Sequence, residues 1–137
     1  MLDEDTFPLP AGTFTIAKSF EFEAGHRLRT LPPDHKCARQ HGHSYRAQVI
    51  LTATSLEEPG FVTDFGDLAA FKSFLAEEFD HHNLHEILPI EPTCEHLAQF
   101  LAGWFIHNLE ADLPGELVAV RVQETARSWA RFDVERP

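Results

Sequence analysis

Two stretches of near-strict alternation, followed by two apolar stripes at helical spacing, leave few folds open to this chain. From Thr13 to Glu23 the apolar Phe14, Ile16, Phe20 and Phe22 alternate with mostly polar residues, Lys18 being the one interruption. From His43 to Thr54 the residues Tyr45, Ala47, Val49 and Leu51 repeat the pattern. Side chains two apart on a strand share a face, so each stretch reads as a half-buried strand. Pro32, Pro33 and a run of charges mark residues 27–40 as a loop, across which the two strands pair as a hairpin. Asp64 to Phe79 reads as a helix, with Asp64 as N-cap, Leu68, Phe71, Leu75 and Phe79 as its stripe, and Phe65 and Phe74 widening it. Thr93 caps a second helix that ends near Glu110 and buries Leu97, Phe100, Leu101, Trp104, Phe105 and Leu109. Glu116 to Glu124 alternates through Val118, Val120 and Val122. Ser128 to Val134 forms a last strand with Ala130, Phe132 and Val134 inward and Trp129 outward. The order is therefore strand, strand, helix, helix, strand, strand, an α+β fold. Residues 1–12, with Pro8, Pro10 and Gly12 among acids, read as a loose arm before a single domain over 13–137. Four strands leave two sheet edges open, which neighbours in a ring would complete, so an oligomer is expected.

The same parity carries the chemistry. His41 and His43 fall on one face, and His26 shares the parity of Phe20 and Phe22, so the hairpin draws three imidazoles together. Three neutral imidazoles with one open position are the ligand set of a catalytic zinc, whereas structural zinc is usually closed by four ligands rich in cysteine. Nine histidines in 137 residues make some chance pairs unavoidable, and a single histidine on an apolar face is ordinarily a packed core residue. Cys37, four residues before His41, either closes the site as a fourth ligand or stands beside the metal as a base or nucleophile. At the end of the first helix Asp80 adjoins His81, as a solvated turn or as an acid/base pair. Parity places Glu124 on the apolar face of its strand, where a carboxylate is costly unless something pairs with it. It is a ligand anchor, or else an edge residue reaching water or Arg127.

Charge narrows the partners. A net charge of −11 argues against a protein that coats nucleic acid. Five of the eleven basic residues, Arg27, Arg29, Lys36, Arg39 and Arg46, nevertheless fall between 27 and 46, where Asp34 is the only acid. That island suits a small anionic ligand such as one carrying phosphates, or it is a solvated loop paired with acids elsewhere. Cys37 and Cys94 show no CxxC spacing and fit a reducing compartment. No run approaches the about 18 apolar residues of a membrane span, and Met1-Leu2-Asp3-Glu4-Asp5 is acidic where a secretory signal is basic. A cytoplasmic protein is expected.

The order of elements, with Phe22-Glu23-Ala24-Gly25-His26, Lys36-Cys37, His41-Gly42-His43, Val62-Thr63-Asp64-Phe65, Asp80-His81, Pro92-Thr93-Cys94-Glu95 and Glu124-Thr125, resembles the 6-pyruvoyl-tetrahydropterin synthase superfamily over about Thr13 to Phe132. Within it, the short spacing from Cys37 to His41 is similar to the carboxy-tetrahydropterin branch on the route to queuosine and other 7-deazapurines. The resemblance implies the tunnelling fold, whose antiparallel sheets join in a barrel shared by a trimer, with two trimers commonly stacked as a hexamer. It implies zinc at His26, His41 and His43, catalysis by Cys37, Asp80 and His81, and a pterin held by Glu124. The implied substrate is 7,8-dihydroneopterin triphosphate, and the products are 6-carboxy-tetrahydropterin, acetaldehyde and triphosphate. Gln40, Ser44 and His85 depart from residues frequent in the family and touch substrate detail more than reaction class. Three alternatives stand beside this reading: the same fold making 6-pyruvoyl-tetrahydropterin, a non-catalytic zinc-stabilised assembly domain, and a small cupin-type barrel. The two mid-chain helices argue against the last.

Overall fold

The alternating segments form the sheet. In the structure, a computed structural model describing residues 1–137, β1 is Phe14–His26, β2 His41–Ala53, β3 Glu116–Thr125 and β4 Ser128–Asp133. The strands are antiparallel in the order β1-β2-β3-β4, which leaves the outer edges of β1 and β4 without a strand partner. β1 and β2 pair without a slip from Phe14↔Ala53 to His26↔His41. β1 continues past Glu23 because Ala24 and His26 keep the inward parity, and both are buried.

β3 departs from simple alternation. Ile50 lies opposite Ala119 but Leu51 lies opposite Leu117, so Val118 is the extra residue of a β-bulge. A bulge shifts parity by one. Leu117 therefore takes the core place expected of Val118, while Val120 and Val122 point inward as expected. Glu124 is itself the extra residue of a second irregularity, between Gln123↔Trp129 and Thr125↔Ser128, and its carboxylate faces His43. On β4, Ala130, Phe132 and Val134 pack against the core and Trp129 is exposed.

The helical segment after Asp64 changes its winding twice. Asp64 Oδ1 accepts from the backbone N–H of Gly66 (2.9 Å), opening a 3-10 turn, Phe65–Leu68. α1 follows over Ala69–Phe74, and a π turn over Leu75–Phe79 delivers Asp80, whose N–H reaches back to Leu75 O (2.9 Å). Leu68, Phe71, Leu75 and Phe79 are buried, but the 3-10 start turns Phe65 off the stripe and leaves it exposed. Phe74 packs at the margin of the core. The single turn α2, Leu84–Ile87, is too short to show a period in sequence. α3, Cys94–Asn108, is capped by Thr93 Oγ1, which accepts from His96 N (3.1 Å). It lays Leu97, Leu101 and Phe105 across β3 and β4.

Helices and sheet share one cluster of 24 buried residues, in which Phe71 meets Phe105 edge-on (5.7 Å) and Phe22 stacks on Tyr45 (5.0 Å). Each fully buried leucine or phenylalanine there stabilises the fold by about 1.5–3 kcal/mol, far more than the surface ion pairs do. The cluster thus fixes the sheet on which the histidines stand. No helix is long and apolar enough to cross a membrane.

Candidate functional site

At the far end of the β1–β2 hairpin the core face turns polar. His26 stands directly opposite His41, and His43 follows two residues on along β2. Their ligand atoms lie within 4.8 Å of one another, so the three can hold a metal ion. The tautomers are set by the backbone: His26 Nδ1–H donates to Pro92 O (2.8 Å), and His41 Nδ1–H donates to Arg39 O (2.8 Å). With Nδ1 carrying the hydrogen, Nε2 of each neutral ring is the free lone pair, and the two Nε2 atoms face each other at 2.8 Å. Two acceptors that close repel unless a cation stands between them. Backbone carbonyls that orient ligating imidazoles in this way are the usual outer shell of a metal site. Tyr45 Oη, also near His26 Nδ1 (3.2 Å), packs beneath the cluster. Burial lowers the pKa of His26, although the Pro92 carbonyl opposes it, and burial likewise lowers that of His43 against the pull of Glu124. Both rings are therefore held neutral, the form that binds metal. The donor set fits zinc.

A cleft of about 610 Å³ opens over the cluster. Cys37 lines it from the β1–β2 loop and Glu124 from the end of β3, so elements far apart in sequence bring thiol, imidazoles and carboxylate to one cavity. Glu124 Oε2 is 3.8 Å from His43 Nε2 and not engaged with Arg127. Of the five clustered basic residues, Lys36 lines the cleft. Arg46 sits on the opposite face of β2, bonded to Glu21 (2.8 Å), and Arg29 Nη2 is taken by the His85 carbonyl. Cys94 and Glu95, which the sequence marked within Pro92-Thr93-Cys94-Glu95 without assigning them a role at the site, enter the cleft from the first turn of α3. Burial and the neighbouring Glu124 carboxylate raise the Cys94 thiol well above the ordinary range, so it stays protonated. An acid in the first turn after a Thr cap is a common helix start, so apart from the resemblance no local pattern gave Glu95 a role at the site.

Asp80 and His81 pair, Asp80 Oδ2 accepting from His81 Nδ1 at 2.9 Å, but they do not line the cleft of Cys37. They sit on the open edge of β1. Asp80 Oδ1 accepts from Glu23 N (2.8 Å), His81 N donates to Glu23 O (2.6 Å), and Gly25 N donates to His82 O (3.0 Å). Residues 80–83 thus serve as a short mock strand. The backbone N–H of Glu23, and then His81, hold the Asp80 carboxyl below its ordinary value. His81 has φ +60, a conformation that costs a non-glycine residue energy and is found where a side chain must be aimed. Its ring is exposed, with 78% of the side chain accessible, and points away from its own chain's core. His82 is exposed beside it, whereas His85 is buried with Nδ1 unpartnered.

The profile of the 6-pyruvoyl tetrahydropterin synthase family matches residues 15–135. The chain is 40% identical to a 6-carboxy-5,6,7,8-tetrahydropterin synthase of Synechocystis sp., over 85% of this chain and 91% of the relative. It is 32% identical to the enzyme of the same name from Aquifex aeolicus, over 88% and 98%. Its fold superposes on that of a 6-pyruvoyl tetrahydropterin synthase from Caenorhabditis elegans with a TM-score of 0.73 at 23% identity, covering 95% of this chain and 100% of that one.

Proposed function

Because the chain belongs to the 6-pyruvoyl tetrahydropterin synthase family and carries its α+β tunnelling fold, we propose that it is a zinc-dependent carbon–carbon lyase. It converts 7,8-dihydroneopterin triphosphate and water to 6-carboxy-5,6,7,8-tetrahydropterin, acetaldehyde and triphosphate, a step toward queuosine and other 7-deazapurines. The observation that carries this reading is the single cleft shared by His26, His41, His43, Cys37 and Glu124, in a chain 40% identical to a relative of that name.

His26, His41 and His43 would hold the zinc, which when bound supplies Lewis acidity that eases negative charge developing on the substrate side chain. The remaining steps belong to the chain's own groups. Glu124 accepts hydrogen bonds from the amide and amino edge of the pterin and so fixes which side-chain carbon faces Cys37. Cys37, as thiolate, takes a proton from that carbon. The Asp80–His81 unit moves the second proton, the carboxylate holding Nδ1–H so that Nε2 is the working atom. Proton shifts of this kind turn a hydroxylated carbon into a carbonyl, expel triphosphate and permit the C–C bond to break. Lys36, the one of the five clustered basic residues that lines the cleft, would meet the triphosphate.

The working enzyme is a homo-oligomer, a trimer or hexamer. Two observations support this: the edges of β1 and β4 are open, and the Asp80–His81 pair lies outside the cavity that Cys37 lines. A neighbour joined along the β1 edge would receive that pair in its own cleft. Incubation of the zinc-loaded protein with 7,8-dihydroneopterin triphosphate, with products identified by mass spectrometry, tests the reading. Acetaldehyde and 6-carboxy-tetrahydropterin are expected; a pyruvoyl product would move the enzyme to the other branch, and no turnover with zinc bound would sink the catalytic reading.

A further inference from the structure

The loop that carries Cys37 is held from outside by one carboxylate. Glu91 lies in the connection between α2 and α3, 62 and 61 residues along the chain from Arg29 and Thr30 of that loop. Its Oε1 accepts from the backbone N–H of Arg29 (2.9 Å), and its Oε2 accepts from both the backbone N–H (3.2 Å) and the hydroxyl (3.0 Å) of Thr30. Immediately before them, Leu28 N donates to the carbonyl of Cys37 (2.8 Å). A continuous path of hydrogen bonds thus runs from Glu91 through residues 28–30 to the backbone of the thiol. The loop's other outside anchors lie on side chains, Arg29 Nη2 to the His85 carbonyl and Gln40 Nε2 to Asn83 Oδ1 (2.8 Å), whereas Glu91 takes the backbone next to Leu28; Arg27, Arg29, Thr30 and residues 32–36 are exposed.

The backbone of the same short segment braces the neighbouring walls of the cleft. Glu91 O accepts from Thr93 N (2.9 Å) and from His96 Nδ1 (2.7 Å), at the start of α3, and Pro92 O orients His26. Side chain and backbone of this segment therefore act on different parts: the carboxylate on the thiol loop, the carbonyls on the metal ligand and on α3.

We infer that Glu91 is a positioning residue that latches the Cys37 loop against the cleft, setting where the thiol stands without touching substrate or metal. This rests on the reading of Cys37 as the working thiol, but it can be tested without turnover. Glu91→Gln keeps the shape of the side chain and all the backbone bonds of the segment, while placing an amide N–H₂ against N–H donors of the loop. In the zinc-loaded protein, the rate of alkylation by iodoacetamide is followed separately at Cys37 and Cys94 by peptide mass spectrometry, together with zinc content.

The latch predicts that Cys37 alkylates about tenfold faster in Glu91→Gln, the size expected for losing hydrogen bonds to a charged group, while buried Cys94 and the zinc content stay unchanged. Thr30→Ala, which removes one donor and leaves Glu91 intact, should shift Cys37 in the same direction by less. With substrate, Glu91→Gln should lower kcat and leave KM unchanged. Equal Cys37 rates in variant and parent would overturn the latch. So would a joint rise at both thiols with loss of zinc, since Glu91 would then be supporting the whole fold. If the parent protein turns over no substrate, the proposed reaction fails, and the alkylation comparison still decides the role of Glu91.

Discussion

Cys37 and Glu124 reach the same cleft from opposite ends of the sequence, and their substitutions separate two kinds of loss. Cys37→Ala should cut kcat by about 10²–10⁴-fold, the usual share of a positioned base, and leave the metal content of the protein at one ion per chain. Loss of the ion in that variant, by elemental analysis, would make Cys37 a fourth ligand instead. Glu124→Gln keeps an acceptor but removes the charge, so kcat/KM should fall by about 10–100-fold, mostly through weaker pterin binding. Calorimetric titration with the product reads that loss directly. An unchanged affinity would return Glu124 to the part of a partner for His43 alone. The residue scale is also where the sequence was easiest to read. A period of two is enough to put His41 with His43, His26 with Phe20 and Phe22, and Glu124 with Val120 and Val122, because alternation is a property of the strand backbone wherever no bulge intervenes. Glu91 was invisible by the same logic, since its contacts are three donors on two residues some sixty positions away that no local pattern marks.

Among the elements, those that announced themselves have caps and periods: Asp64 and Thr93 each accept from a backbone N–H in the first turn that follows. The changes of winding did not. The bulge at Val118 and the π turn at Leu75–Phe79 each add one residue to a regular count, and the sequence there is as apolar as it would be without them. Both have consequences for the site. The π turn presents Asp80 to the edge of β1, where the carboxylate caps Glu23 N and holds His81. The folded-state pKa of Asp80 lies below its ordinary 3.8. The anchoring is therefore fully present above that pH and is lost as pH falls below it toward the depressed value. The Glu23 amide should be protected relative to a free amide at pH 4.5 and lose that protection only on acidification below about 3.8. Asp80→Ala should expose it at every pH. A Glu23 amide that stays protected in Asp80→Ala would mean that the mock strand is held by His81 N and His82 O alone.

For the whole molecule, the 13-residue edge strand β1 is the surface that a neighbour would join. Glu23 and Gly25 send their N–H groups outward to residues 80–83. By the period of two, Ser19 N also points outward, toward the part of the edge that no segment of this chain covers. Proline is tolerated in a strand only where its missing N–H faces away from the sheet. Ser19→Pro should therefore fold with β1 still paired to β2, yet fail to add a neighbour. Light scattering should show a monomer and product assays should show no turnover, whereas an intact oligomer would place the subunit contact elsewhere. Oligomer size was outside the reach of the sequence for a physical reason: an edge strand shows that something must cover it, but not the angle at which copies meet.

The hairpin has a further consequence, for the order in which the molecule is made. All three imidazoles lie between His26 and His43, and the strand pairing that aligns them ends at Ala53. The groups that surround them, Pro92 and Glu124, come much later. A chain emerging from its N-terminus thus presents a complete metal grip before either long helix exists. Because only the native register sets His26 opposite His41, an ion captured at that stage would clip the correct alignment and disfavour slipped ones. On that proposal, metal supplied during synthesis would raise the share of the protein that reaches its native pairing.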